Sequence, residues 1–185
     1  IIKPENSTGK QKGKEKMECT KMGVPLEGFG DKVRETAAEG MVLLKNEKQM
    51  FPLTKEDHVA IFGRCQINYY KSGTGSGGAV HTAYTTNLVE GLRRYKEISL
   101  NEELVQIYEN WVKENPFDDG GGVWAGEPWY QKEMPVSEEM ARKAGETSNK
   151  AIVVIGRTAG EDQDNAPVEG SYLLTKEERQ LIETV

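Results

Sequence analysis

Two short runs constrain this chain more than any other feature: HVAIFG at positions 58–63 and AIVVIGR at 151–157. Each is apolar at successive positions rather than at alternate ones, so each offers apolar side chains to both faces of a sheet. Such a strand is stable only with both faces covered, and parallel sheets achieve this with helices. Helical patterns lie between and around the two runs. Asp31 reads as an N-cap for a helix whose apolar face is Val33, Ala37, Met41 and Leu44. A helix of about ten residues follows near Thr86 to Tyr95. Asn101 caps another, with Leu104, Ile107, Tyr108 and Trp111 on one stripe. Ser137 opens a fourth with Glu138 and Glu139 in its first turn, and Thr175 with Glu178 forms a capping box for the last.

The order is therefore α/β, with mainly parallel strands flanked by helices. Only two convincing strands can be counted, and a stable open sheet normally needs more. The expectation is a partial open α/β sandwich, incomplete without further sequence. Residues 1–29 read as a polar lead-in or linker, and 30–185 as the partial sandwich domain. In sheets of this type ligands meet the loops at the carboxyl ends of strands. The segments after HVAIFG and after AIVVIGR both occupy that position.

Composition removes several classes of function. With 24 basic against 30 acidic residues the net charge is −6, which leaves no basic footprint for nucleic acid or anionic membrane. No apolar run approaches the roughly 18 residues of a membrane span. Cys19 and Cys65 lack metal-ligand spacing and have only two histidines to join them, so neither a zinc site nor a disulfide scaffold is expected. Unpaired thiols and a polar start without an apolar signal core suggest a cytoplasmic enzyme.

Four stretches could carry chemistry. SGTGSGG at 72–78 has backbone amides able to cradle an anion, but it lacks the lysine of a phosphate loop and lies far from both strand and helix. A tight turn that lets backbone approach a neighbour is the plainer reading. GRTAGEDQDN at 156–165 crowds Glu161, Asp162 and Asp164 together. Like charges at close range raise at least one pKa, as a general acid at neutral pH requires, although most acidic loops are simply solvated. His58 reads as a surface residue ahead of its strand. His81, beside the glycine loop, either touches substrate or hydrogen-bonds within the loop. Trp124 and Trp129, among glycines and prolines in the long stretch 115–135, form either a platform for the apolar face of a sugar or loop packing.

Taken in order, ETAAEGMVLLKNE, FPL, VAIFG, GTGSGG, AIVVIGRTAGEDQDN and LLTKEERQLIETV resemble glycoside hydrolase family 3, in its bacterial β-glucosidase branch. The resemblance runs from about Lys32 to the end and covers the first part of that family's α/β sandwich domain. It implies retaining hydrolysis of terminal β-glucosides by two carboxyls, with no cofactor and no metal. The aspartate nucleophile of the family lies in a (β/α)-barrel domain within an SDW motif, which is absent here. A barrel on further sequence is thus the expected partner, and a β-glucoside or oligosaccharide the expected substrate. The family's acid/base lies in a stretch resembling GEGxDR. That stretch is Gly160-Glu161-Asp162-Gln163-Asp164-Asn165 in this chain, so Glu161 takes the acid/base role. Asp162 stands for the usual glycine and Asn165 for the usual arginine. Asp164, Arg157, Trp124 and His81 are the candidate substrate contacts. The fragment by itself is expected to be inactive. A non-catalytic α/β module binding a sugar or a nucleotide is the alternative.

Overall fold

The computed structural model describes residues 26–78, 82 and 84–185. The chain divides into two units, Ile1–Asn46 and Glu47–Val185. In the first, α1 (Phe29–Glu39) follows Gly28, which takes φ 76 and offers no side-chain cap. Asp31 therefore lies inside the first turn rather than at the N-cap, where it pairs with Arg34. The helix stops at Gly40, so Met41 and Leu44 fall outside it and the expected four-residue face is only half formed. Residues 1–25 of the expected polar lead-in lie outside the described residues.

The second unit is built on a parallel sheet of order β2-β1-β3, with β1 at His58–Phe62, β2 at Ser99–Leu100 and β3 at Lys150–Val153. Register runs Val59 to Leu100 on one side and Phe62 to Val153 on the other. The uninterrupted apolar character of β1 has a direct cause. Ala60 and Phe62 enter one core with Leu104, Tyr108, Met134, Val136, Ala144 and Leu181, while Val59 and Ile61 enter another with Val89, Leu100 and Val105. Helices α2 (Leu88–Arg93), α3 (Glu102–Glu114), α4 (Glu138–Thr147) and α5 (Lys176–Thr184) supply most of those partners, with Leu100 coming from β2 and Met134 and Val136 from the segment before α4.

Caps formed at the residues that the sequence marks. Asn101 accepts from the Leu104 amide at 3.0 Å, Ser137 from Met140 at 3.2 Å, and Thr175 with Glu178 closes both bonds of its capping box. Each such cap contributes about 1 kcal/mol. Helix α2 is shorter than expected and starts after Asn87. On α3, Val105 is buried and Ile107 is exposed, because the helix meets both cores instead of one.

Two expectations about the strands need correction. A third strand, β2, exists; two residues are too few to show any period. Strand β1 is buried as expected, but β3 is only half-buried and Ala151 is exposed, because β3 is an edge strand among the described residues while β1 is central. His58 is also not a free surface residue. Its ring bonds the Leu100 carbonyl at 2.9 Å and the Thr147 carbonyl, which ties β2 and the end of α4 to the start of β1.

Candidate functional site

The backbone after β3 runs past the carboxyl end of β1 and turns at Gly160. Gly160 and Gln163 exchange backbone hydrogen bonds of 3.2 and 3.1 Å, which leaves Glu161 and Asp162 as the two tip residues of a tight turn. Thr74 fastens this turn to the glycine loop that follows β1, since its amide donates to the Ala159 carbonyl at 3.2 Å. Gly75 permits the approach. It takes φ +76, and a Cβ there would lie 2.4 Å from the Glu161 Cβ. The two segments singled out at separate strand ends thus form one structure.

The anion held by the glycine loop is the chain's own. The Ser76 amide donates to Glu161 Oε2 at 2.9 Å. That bond favours the ionised form and lowers the Glu161 pKa below the ordinary glutamate value. This corrects the expectation that crowded carboxyls keep Glu161 protonated near neutrality. Glu161 is exposed, and Asp162 is directed to the Trp124 indole, whose Nε1–H donates to Asp162 Oδ2 at 2.9 Å.

Trp124 stands at the tip of the long loop, and buried polar residues hold that loop in place. Gln131 closes its neck, accepting from the Asp118 amide and donating to the Asp118 carbonyl, both at 2.8 Å. Arg64, buried at the end of β1, donates to the carbonyls of Lys132 and Asn115 and stacks 5.1 Å above the Trp111 ring. Glu133 accepts from the backbone amides of Arg64 and Met134 at 2.9 and 2.8 Å. Sequence reasoning missed this Arg64–Glu133 anchor, because both residues look like ordinary surface charges in a polar stretch. Gly120, Gly121 and Gly122 all take positive φ, and a Cβ on Gly120 would meet the Gly126 carbonyl carbon at 2.1 Å. The loop and the glycine segment enclose an open cleft of about 580 Å³, whose walls include Trp124, Phe117, Lys71, Asn68, Glu127 and Gly75. Aromatic faces, amides and charged groups around a cleft of this size suit a polyhydroxylated ligand.

The other candidates are placed as follows. Arg157 turns all five N–H donors inward, to Glu178, Ser171, Gly156 and Leu173. It therefore ties α5 to the 165–173 segment, and a ligand contact by Arg157 would have to share these donors. Asp164 is exposed on the same loop as Glu161. Trp129 is half-buried, with its carbonyl accepting from Thr158, and does not line the cleft with Trp124. His81 lies outside the described residues. Among the described residues no group of three His, Cys, Asp or Glu is placed to hold a metal, and no helix is long and apolar enough to cross a membrane.

Burial pushes the Glu133 carboxyl up to about 7, with the two amides opposing that rise. Between the ordinary value of 4.5 and about 7 the folded state holds more protons than the unfolded one, so stability falls as pH rises through that window. The full loss is up to about 3 kcal/mol. Glu133→Gln keeps an oxygen for both amides and removes the titration. Denaturant unfolding across the window should lose its slope in that variant, and a slope that persists would assign the effect to another group.

An α/β domain that displays a carboxyl-bearing turn beside an aromatic cleft, at the carboxyl ends of parallel strands, is the class that this fold and site define. Residues 41–185 match the family model described as Glycosyl hydrolase family 3 C-terminal domain, and the chain belongs to glycosyl hydrolase family 3. The chain is 47% identical over 155 residues to a beta-glucosidase of Ruminococcus albus, covering 84% of this chain and 16% of that protein. It is 37% identical over 131 residues to beta-glucosidase A of Butyrivibrio fibrisolvens, covering 70% of this chain and 15% of that one. The crystal structure of a beta-glucosidase from Paenibacillus barengoltzii superposes with a TM-score of 0.85 at 59% identity, over 88% of this chain and 17% of that one. Beta-glucosidase 3B from Thermotoga neapolitana in complex with alpha-D-glucose gives 0.73 at 32% identity, over 86% and 22%. The chain thus spans a minor part of the length of each of these relatives.

Proposed function

We propose that this chain supplies the proton-donor half of a retaining β-glucosidase, with Glu161 as acid/base and the nucleophile on a barrel domain encoded elsewhere in the same protein. The observation that supports this most is the turn itself, which holds Glu161 exposed against Gly75 and next to the Asp162 that bonds Trp124, both Gly75 and Trp124 being walls of the cleft. A retaining enzyme needs two carboxyls about 5–5.5 Å apart across the scissile bond. Glu161 protonates the leaving oxygen in the first step and deprotonates water in the second.

In this chain alone Glu161 is exposed and its pKa is lowered, which is wrong for an acid. Apposition of a second domain supplies what is lacking. It removes solvent and brings a second carboxylate near, and both raise the pKa. The isolated 185-residue chain should therefore not turn over aryl β-glucosides, since a lone acid cannot form the glycosyl-enzyme intermediate. The complete enzyme should release β-glucose first, before mutarotation, when followed by proton NMR. Release of α-glucose first, or turnover by the isolated chain with a Glu161→Gln control for contamination, would defeat the proposal. A non-catalytic sugar-binding module would give saturable glucoside binding and no hydrolysis by the complete protein.

A further inference from the structure

Asp162 takes φ 61, the left-handed region that an aspartate enters less readily than a glycine. Its neighbour Glu161 occupies the other tip position of the same two-residue turn, so a rotation of the turn moves both side chains together. Two bonds, one at each tip residue, restrain that rotation. Ser76 holds the Glu161 carboxylate, and the Trp124 indole holds the Asp162 carboxylate, each at 2.9 Å. The second bond spans 38 positions in the chain and joins the turn to a loop that is itself anchored at its neck by Gln131 and Asp118.

We infer that Trp124 and Asp162 form a latch that orients Glu161, which makes both of them positioning residues for proton transfer. The inference rests on the reading of Glu161 as the acid/base. Asp162 gives up the easier backbone of glycine at this position and provides the acceptor that fixes the turn. Trp124 is also a wall of the cleft, so a ligand group packed against its ring contacts the same side chain that steadies the acid.

The test is the dependence of kcat/KM on the leaving group, in the complete enzyme carrying this segment. Proton donation matters for an alkyl glucoside and little for a dinitrophenyl glucoside, whose leaving group departs without a proton. Loss of folded enzyme scales both substrates equally, whereas a misplaced acid separates them. Trp124→Phe retains the aromatic surface and removes the donor. Asp162→Gly relieves the backbone and removes the acceptor. Each should lower kcat/KM for the alkyl glucoside about tenfold more than for the dinitrophenyl glucoside. The double variant should be no worse than either single one, because both break one bond. Asp162→Asn, which tolerates the same φ and keeps an oxygen acceptor, should restore the ratio to within about twofold of the parent. Equal losses on both substrates, or multiplying losses in the double variant, would overturn the latch. Glu161→Gln is run beside them. If it separates the two substrates and the latch variants do not, only the latch fails; if Glu161→Gln does not separate them either, the acid/base reading fails and takes the latch with it.

Discussion

Glu161→Gln in the complete enzyme is expected to lower kcat/KM for unactivated glucosides about a thousandfold, while dinitrophenyl glucoside loses less than about tenfold. The substitution isolates proton transfer, because the glutamine oxygen can still accept from the Ser76 amide that holds the carboxylate at 2.9 Å. Activated substrates still form the glycosyl-enzyme, but water then attacks it without a general base. The intermediate accumulates, and kcat and KM fall together. Added azide, an anion that needs no base and fits the space the carboxylate leaves, should restore turnover and yield a β-glucosyl azide. Asp164→Asn is the matched control, since Asp164 is exposed on the same loop, and azide should not rescue it. Rescue of Asp164→Asn in place of Glu161→Gln would exchange the two assignments. Rescue of neither would place the acid/base outside this loop.

Gly63→Ala should produce the largest loss of stability. Gly63 leaves β1 at φ +94, and a Cβ there would lie 2.2 Å from the Val154 carbonyl oxygen. The obstacle is backbone, and that backbone is fixed by the bond from the Val154 amide to the Phe62 carbonyl at 2.9 Å. Relief therefore means separating the chain after β3 from the end of β1. Left-handed backbone and overpacking together put the loss at about 3 kcal/mol or more. Amide exchange in β1 and β3 should accelerate together, because the two strands share the damaged edge. Gly77→Ala meets nothing within 4 Å and should leave the melting midpoint close to that of the parent. Equal behaviour of the two variants would show that the crossing at Gly63 is looser than the structure depicts.

Much of the fold was legible because it rests on local rules. The apolar runs identified β1 and β3 as parallel strands, and Asn101, Ser137 and Thr175 marked helix starts because a cap side chain bonds an amide within its own turn. Family resemblance singled out Glu161 as a candidate within an acidic loop whose spacing alone favoured a solvated surface. The errors arose where a residue's partner is distant. His58 looked like a surface group, but its acceptors are at Leu100 and Thr147. Arg64 and Glu133 gave no signal at all, since burial of a charged residue is set by what folds over it.

The sequence by itself determined the α/β class, the two principal strands and the cap of each helix from α3 onward, and it singled out Glu161 as the carboxyl to test. These follow from periodicity, from short-range hydrogen bonds and from an ordered set of motifs. Tertiary structure decided the state and direction of that carboxyl. The Ser76 amide, 85 positions away, donates to Glu161 and favours its ionised form. Its turn faces as it does because the Trp124 indole holds Asp162. Hydrogen bonds act over about 3 Å in space whatever the separation along the chain. Only the folded chain brings these loops within that range.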